Sequence, residues 1–431
     1  MSLALTLCLV TVLLLAAFGT PVSFSMIIGA IVYLAVSGQD LALAGEQIIQ
    51  GFYNSFILLA VPLFIAAANI MNAGSITDRL LQFCVAMVGH FRGGLGHVNI
   101  VSSLIFSGMS GSAVADAAGV GRVIINMMTK DGRYPPAYAA AITAASATIG
   151  PIIPPSIPMV IYALVSDTSI GYLFIAGLVP GLLMGVVLMG MNTYMATKMN
   201  IVKEPRTPVK DIPRITFRAL PTLLMPAILL FGIYGGVTTP TEAAAVAAAY
   251  ALLLAAVVYR SISLKQLYAA LKESAYSSAS VGLVIGSALI FNYIIATENV
   301  PTAIAELINQ ADLSPLAFLL LVNLIYLLLG FLLDATTVIL VIVPLFIPAC
   351  RELGIDLVHF GVITIVNLMI GLITPPYGVL LFVINGTTKI PLAGIIKQVI
   401  PFIFVLLGAL MIMILTPDVV LYVPRLMGYQ G

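Results

Sequence analysis

Long apolar runs separated by short polar connections dominate the chain. The clearest cover Leu3 to Phe18, Pro21 to Val36, Phe56 to Met71, Tyr172 to Met195, Ala243 to Tyr259 and Val399 to Leu415. Each comes near the ~20 residues a helix needs to cross ~30 Å of hydrocarbon. Barrel strands would be about half as long and would alternate in polarity, so the pattern predicts helices. Twice the apolar pattern is interrupted by Gly-x-Ile-x-Pro-Pro, at Gly150, Ile152, Pro154 and Pro155 and again, 221 residues later, at Gly371, Ile373, Pro375 and Pro376. Paired prolines remove backbone donors and clash with the preceding turn, so each helix carrying them must open. Carbonyls freed in this way are tolerated in a bilayer only where protein buries them or a wet cavity receives them.

Basic residues mark one side of the connections. Arg79, Arg92, Lys130, Arg133, the run Lys198, Lys203, Arg206, Lys210, Arg214 and Arg218, then Arg260, Lys265, Lys272, Lys389 and Lys397 fall on the face expected to be cytoplasmic. The connections around Gln39 to Glu46, Asp167, Gly235 to Glu242 and Glu298 to Asp312 contain no Lys or Arg and are expected on the other side, with both termini periplasmic. Arg351 and Arg425 are exceptions. This trace predicts an all-α polytopic membrane protein of two repeats, 1–197 and 219–431, joined by a cytoplasmic linker over 198–218. Each repeat holds about five spans and one re-entrant helical hairpin. An odd number of crossings inverts the second repeat relative to the first. In the first repeat the scaffold spans occupy about 1–75, the hairpin about 97–128 and the broken helix about 137–164. In the second the hairpin covers about 315–350 and the broken helix about 360–384. Matches at nearly one offset support the duplication: Thr20-Pro21 with Thr239-Pro240, and Gly108 and Ser112 with Gly330 and Asp334. Amphipathic stretches over about Leu41 to Phe52 and Leu264 to Lys272 are expected to lie along the membrane surface as braces.

Composition agrees with lipid as the environment: 61% of residues are hydrophobic and 8% charged, and the mean hydropathy is +1.15. Cys8, Cys84 and Cys350, like His90, His97 and His359, are dispersed without paired spacing, so neither a disulfide framework nor a zinc site is indicated. The first residues carry no basic charge and lead into two successive apolar runs, which favours a retained first span over a cleaved signal peptide. A net charge of +1 gives no electrostatic case for a nucleic-acid partner. No Gly-x-x-x-x-Gly-Lys-Ser/Thr loop is present for nucleotide phosphates.

Candidate chemistry gathers at the hairpin tips and the breaks. The first tip reads Ser107-Gly-Met-Ser-Gly-Ser-Ala-Val-Ala-Asp116-Ala-Ala-Gly119. Its Ser107, Ser110 and Ser112 hydroxyls, with carbonyls at Gly150, Ile153 and Pro155, form a set of oxygens suited to a hard cation, and sodium fits it. Gly330, Asp334, Gly371 and Thr374 form the matching set in the second half. Half-helix N-termini and tip amides can meet an anionic substrate group between the two. Candidates for that contact are Asp116, Arg122, Pro154, Ser156, Thr336, Thr337, Pro375, Pro376 and Tyr377. The plainer alternatives are that small residues only let helices pack closely and that prolines only kink them. Asp334 could cap its own helix arm, bind a cation, or both. Arg122 could hold a carboxylate bidentately, pair with Asp116, or reach the membrane surface. Glu242 is explained by a first-turn carboxylate facing the helix dipole.

The strings Ser-Gly-Ser-Ala-Val-Ala-Asp-Ala, Ile-Ile-Pro-Pro-Ser-Ile-Pro, Thr-Pro-Thr-Glu-Ala at Thr239 to Ala243, and Gly-Leu-Ile-Thr-Pro-Pro together resemble the large membrane subunit of tripartite ATP-independent periplasmic (TRAP) transporters. The resemblance covers essentially the whole chain. It implies a bacterial inner-membrane protein of the ion-transporter superfamily with no cofactor, using Na+ as coupling ion. It further implies two partners, a small four-span membrane subunit and a soluble periplasmic substrate-binding protein. The implied substrates are organic acids such as C4-dicarboxylates, sialic acid and other sugar acids. Two sodium sites at the tips and breaks, and an elevator motion of hairpins and broken helices past a fixed scaffold, also follow from the resemblance. Three alternatives remain at this point: a stand-alone ion-coupled anion carrier of the same superfamily, an intramembrane aspartyl protease using Asp116 and Asp334, and a passive channel.

Overall fold

A computed structural model describes residues 2–73, 76–201 and 203–431. Positions 1, 74, 75 and 202, which fall within the expected scaffold spans and linker, lie outside the described residues. The chain is helical, with no strand among the described residues. Among the described residues, seven helices are long and apolar enough to cross a membrane, including Phe56–Ala73, Ile170–Lys198, Pro240–Val258 and Leu392–Leu415. Other apolar helices, such as Leu3–Ala17, Val22–Val36 and Pro315–Gly330, have 10–17 residues.

Packing groups the helices by their order within each half. Leu3–Ala17, Val22–Val36 and Ala60–Ala73 pack with Pro240–Leu253 and Leu264–Thr297. A second bundle joins Gly94–Ser110, Pro136–Ala147 and Leu178–Lys198 to Leu392–Leu415, which in turn packs on Leu357–Gly371 and Pro315–Gly330. Each bundle therefore draws from both halves of the chain.

The first hairpin consists of Gly94–Ser110 and a returning arm over 113–129 that contains a π-turn at Ala117–Gly121. The second consists of Pro315–Gly330 and an arm over 335–352 with a π-turn at Val338–Ile342, again 221 residues further on. The first helix break spans 148–156, between Pro136–Ala147 and Ile157–Ser166, and the second spans 372–378, between Leu357–Gly371 and Val379–Thr388. Both proline pairs are joined by a cis peptide. A buried asparagine ties each hairpin to its broken helix. Asn99 donates to Thr143 Oγ1 at 2.6 Å and accepts from Ser146 at 3.0 Å, while Asn367 donates to Asn323 Oδ1 at 2.9 Å.

One expected element differs. Leu41 to Phe52 is a separate helix, Ala42–Tyr53, but Leu264 to Lys272 forms only the first turns of a continuous 34-residue helix, Leu264–Thr297. At 1.5 Å per residue that helix runs about 51 Å. A capping box between Ser263 and Gln266 starts it. Neither Gly nor Pro interrupts it before Gly282, whereas Asn54 and Ser55 break the corresponding stretch of the first half.

Several hydrogen bonds and ring contacts among the connections fall into two groups. In one, Glu298 accepts from Ser2 Oγ at 2.5 Å and from Tyr33 at 3.0 Å, Thr241 donates to the Phe56 carbonyl at 3.2 Å, and Asn309 bonds Glu352. In the other, Arg133 pairs with Glu204 at 3.3 Å, Arg79 covers the Tyr259 ring at 3.9 Å, and Tyr259 donates to the Arg218 carbonyl at 3.1 Å. The first group joins connections lacking basic residues, apart from Arg351 beside Glu352, and the second joins basic ones. Thr241 and Tyr259 stand at opposite ends of one transmembrane helix, which separates the two faces.

Candidate functional site

The first tip closes on the first break with almost no space between backbones. Gly111 turns the chain at φ +59°, and a Cβ there would stand 2.5 Å from the Pro155 carbonyl oxygen. A Cβ on Gly150 would stand 2.5 Å from Asp116 Oδ2. Only glycine permits the first approach, and a side chain at position 150 would have to displace the Asp116 carboxylate. Asp116 is 4% exposed and accepts from Ser110 Oγ at 2.5 Å, while its Oδ2 has no hydrogen-bond partner among the described residues. Around this carboxylate the break is buried from Gly150 through Ser156. The Gly150, Ile153, Pro154 and Pro155 carbonyls accept no backbone hydrogen bond among the described residues. The tip and break thus assemble hydroxyl, carboxylate and carbonyl oxygens in one dry place.

The second pair is built alike but is more open. A Cβ on Gly371 would lie 2.7 Å from the Gly330 carbonyl carbon, so hairpin arm and broken helix touch backbone to backbone. Asp334 caps the returning arm, one oxygen accepting from the Thr337 N–H at 3.0 Å and the other from the Thr337 hydroxyl. Thr374 Oγ1 donates to the Ile370 carbonyl at 2.8 Å, and Thr374 N–H donates to Gly371 O at 3.0 Å. The Thr374, Pro375 and Pro376 carbonyls accept no backbone bond among the described residues, and Pro376 and Tyr377 are exposed.

Both tips open onto one cavity of about 720 Å³. Ser110, Ser112, Asp334 and Thr336 line its tip side, and Pro151, Ile157 and Leu372 bring it against the two breaks. Its opposite wall comes from Asn69 and Asn72 on Ala60–Ala73 and from Gln266, Glu273 and Ser277 on Leu264–Thr297.

Several expected substrate contacts lie elsewhere. Asp116 is enclosed between tip and break and does not line the cavity. Ser156 is fully buried, donating to the Pro151 carbonyl and accepting from Met159 N–H at 3.2 Å, so its hydroxyl closes the break instead of facing cargo. Pro154, Thr337, Pro375, Pro376 and Tyr377 are also outside the lining, Tyr377 resting on Phe382 with ring centroids 5.3 Å apart. Arg122 is exposed, lies beyond the π-turn, and makes no ion pair with Asp116. Ser107 is buried and donates to the Leu104 carbonyl at 2.7 Å. The polar wall across the cavity was not among the sequence candidates, although Asn69 and Asn72, three residues apart in an apolar helix, carry a readable signal. No cluster of three His, Cys, Asp or Glu side chains suited to a metal occurs among the described residues.

Residues 9–419 match the family described as "Tripartite ATP-independent periplasmic transporter, DctM component". The chain belongs to this family. It is 41% identical over 413 residues to the sialic acid TRAP transporter large permease protein SiaM of Vibrio cholerae, covering 95% of this chain and 96% of that one. It is 40% identical over 373 residues to the C4-dicarboxylate TRAP transporter large permease protein DctM of Pseudomonas aeruginosa, covering 86% and 87%. Its fold is similar to that of the YdaH transporter of Alcanivorax borkumensis, with a TM-score of 0.63 at 15% identity, over 87% of this chain and 88% of that one. The chain is therefore a multi-pass large permease subunit of a TRAP transporter and not an enzyme. A protease built on Asp116 and Asp334 is excluded on the same ground. The local geometry agrees, since Asp334 is occupied as a helix cap and Asp116 is held by Ser110.

Proposed function

We propose that this large permease carries an organic-acid anion inward across the bacterial inner membrane, coupled to sodium and supplied by a periplasmic substrate-binding protein. The single cavity shared by both hairpin tips and the scaffold wall carries this reading. Sodium, as co-transported cargo, would sit where tip oxygens meet freed carbonyls: Ser110, Ser112, Asp116 and the Gly150 and Pro155 carbonyls in the first half, and Asp334, Thr374 and the second break in the other. Cations bound there place positive charge beside the cavity, which compensates a carboxylate entering from the wall side. Each elementary charge moved inward across 100 mV contributes about 2.3 kcal/mol, so two or more sodium ions per monoanion make uptake concentrative without ATP.

The bundle holding the hairpins and broken helices is the moving carrier, and the bundle of Leu3–Ala17, Val22–Val36, Ala60–Ala73, Pro240–Leu253 and Leu264–Thr297 is the scaffold, held with a small four-span membrane subunit. The cavity reaches the scaffold at Gln266 through Val281, toward the Lys265 and Lys272 end of the long helix. Nearer the other end, Asn292 Nδ2 donates to the Leu340 carbonyl at 3.0 Å and ties scaffold to hairpin. An opening on the basic side with a tie on the other corresponds to an inward-facing carrier. Uptake of labelled organic acids into proteoliposomes containing the large and small subunits tests the function. Accumulation should require an inward sodium gradient and the loaded binding protein, and accumulation without either would refute it.

A further inference from the structure

The cavity is meant for an anion, yet its lining holds two carboxylates, Asp334 and Glu273, and no Lys, Arg or His among the described residues. Asp334 caps its own helix, both oxygens accepting from Thr337, and in the proposed cation site its charge is balanced by sodium. Glu273 is different. It is exposed, and it makes no hydrogen bond or ion pair with any other described residue. The adjacent Lys272 is directed over the Tyr276 ring at 5.8 Å, and neither Lys272 nor Lys265 lines the cavity. Around Glu273 the wall offers neutral groups. Asn72 has an amide without a hydrogen-bond partner among the described residues, Ser277 has a hydroxyl, and Gln266 retains its NH2 because its carbonyl already accepts from Ser263.

A cavity of 720 Å³ is roughly 11 Å across, about one Debye length, so Glu273 acts chiefly on the part of a bound anion that lies against its own wall, while charge on the far side is largely screened from it. One carboxylate can be compensated on the tip side by sodium and helix N-termini. A second carboxylate would then face the wall, where it meets a like charge and no cation. Hydroxyls suit that wall, because Glu273 only accepts hydrogen bonds while the amides and Ser277 both donate and accept. Resting on the transport function proposed above, we infer that Glu273 is a specificity-determining residue that selects hydroxylated monocarboxylates and rejects C4-dicarboxylates by like-charge repulsion.

Thermal unfolding of the purified large and small subunits in sodium buffer, titrated separately with N-acetylneuraminate, gluconate and succinate, measures binding without the periplasmic protein, since a ligand of the native state raises its stability according to [L]/Kd. The wild type should bind at least one hydroxylated monoacid at least tenfold more tightly than succinate. Glu273→Gln should bring that ratio to within about twofold, and Asn72→Asp, which adds a carboxylate to the same wall, should widen it. Comparable wild-type affinity for succinate and the monoacids, or an unchanged ratio in Glu273→Gln, would overturn the inference while leaving the transport function standing. Absence of sodium-dependent stabilisation by all three acids would also overturn the inference, and the uptake assay decides the transport function separately.

Discussion

A single methyl group tests the tip and break geometry. The Cβ added by Gly150→Ala would lie 2.5 Å from Asp116 Oδ2, and that of Gly371→Ala 2.7 Å from Gly330 backbone. Each variant should lose about 1–3 kcal/mol of stability by overpacking, seen as a lower unfolding temperature in detergent, together with loss of sodium-driven uptake. Ser110→Ala leaves both Asp116 oxygens without a protein partner in a buried place. It should raise the sodium concentration for half-maximal uptake several-fold while leaving binding-protein docking unchanged. Thr374→Ala should act in the same direction, and unchanged sodium activation in both would count against the cation sites. The sequence marked these positions through their residue types, small residues and prolines inside apolar runs, which also serve close helix packing and kinks. It did not show which polar atoms are spent locally. Ser156 and Asp334 both satisfy helix N-termini, a role decided by where each helix restarts.

The elements show where pattern and packing part. A hydrophobic run gives the extent of a helix, yet whether two amphipathic pieces fuse depends on the junction. Residues 264–297 run on as one helix while 42–73 are divided at Asn54 and Ser55. At the far end of the long helix, Glu298 gathers Ser2 and Tyr33. The Ser2 hydroxyl, with a smaller contribution from Tyr33, holds the Glu298 carboxyl below its ordinary value of 4.5. A carboxyl depressed in the folded state stabilises above its unfolded pKa, and that contribution fades as pH falls through the folded value. Amides at the start of Leu3–Ala17 should therefore lose protection from hydrogen exchange below about pH 4.5, after correction for intrinsic exchange rates. In Glu298→Gln this added pH dependence should be absent.

For the whole molecule, the two bundles meet along the cavity, and their relative movement is open to direct measurement. A Cβ at Gly119 on the first hairpin would lie 3.4 Å from the Asn72 amide on the scaffold. The pair Asn72→Cys and Gly119→Cys should cross-link on oxidation and stop uptake, with recovery in reductant. Cys8, Cys84 and Cys350 are all buried and give little background. Full cross-linking with undiminished uptake would rule out sliding at this contact. The sequence by itself determined the membrane environment, the helical class and the two proline-bearing helix interruptions, because each depends on local composition or on backbone chemistry within a few residues. Only the tertiary structure decided that both tips share one cavity, that Asp116 is sealed beneath it, that Arg122 stands outside it, and that Asn69, Asn72, Gln266, Glu273 and Ser277 form its far wall. Those facts depend on which helix faces meet across some 200 residues of chain, and a side chain's facing is set by packing partners that the order of amino acids does not name.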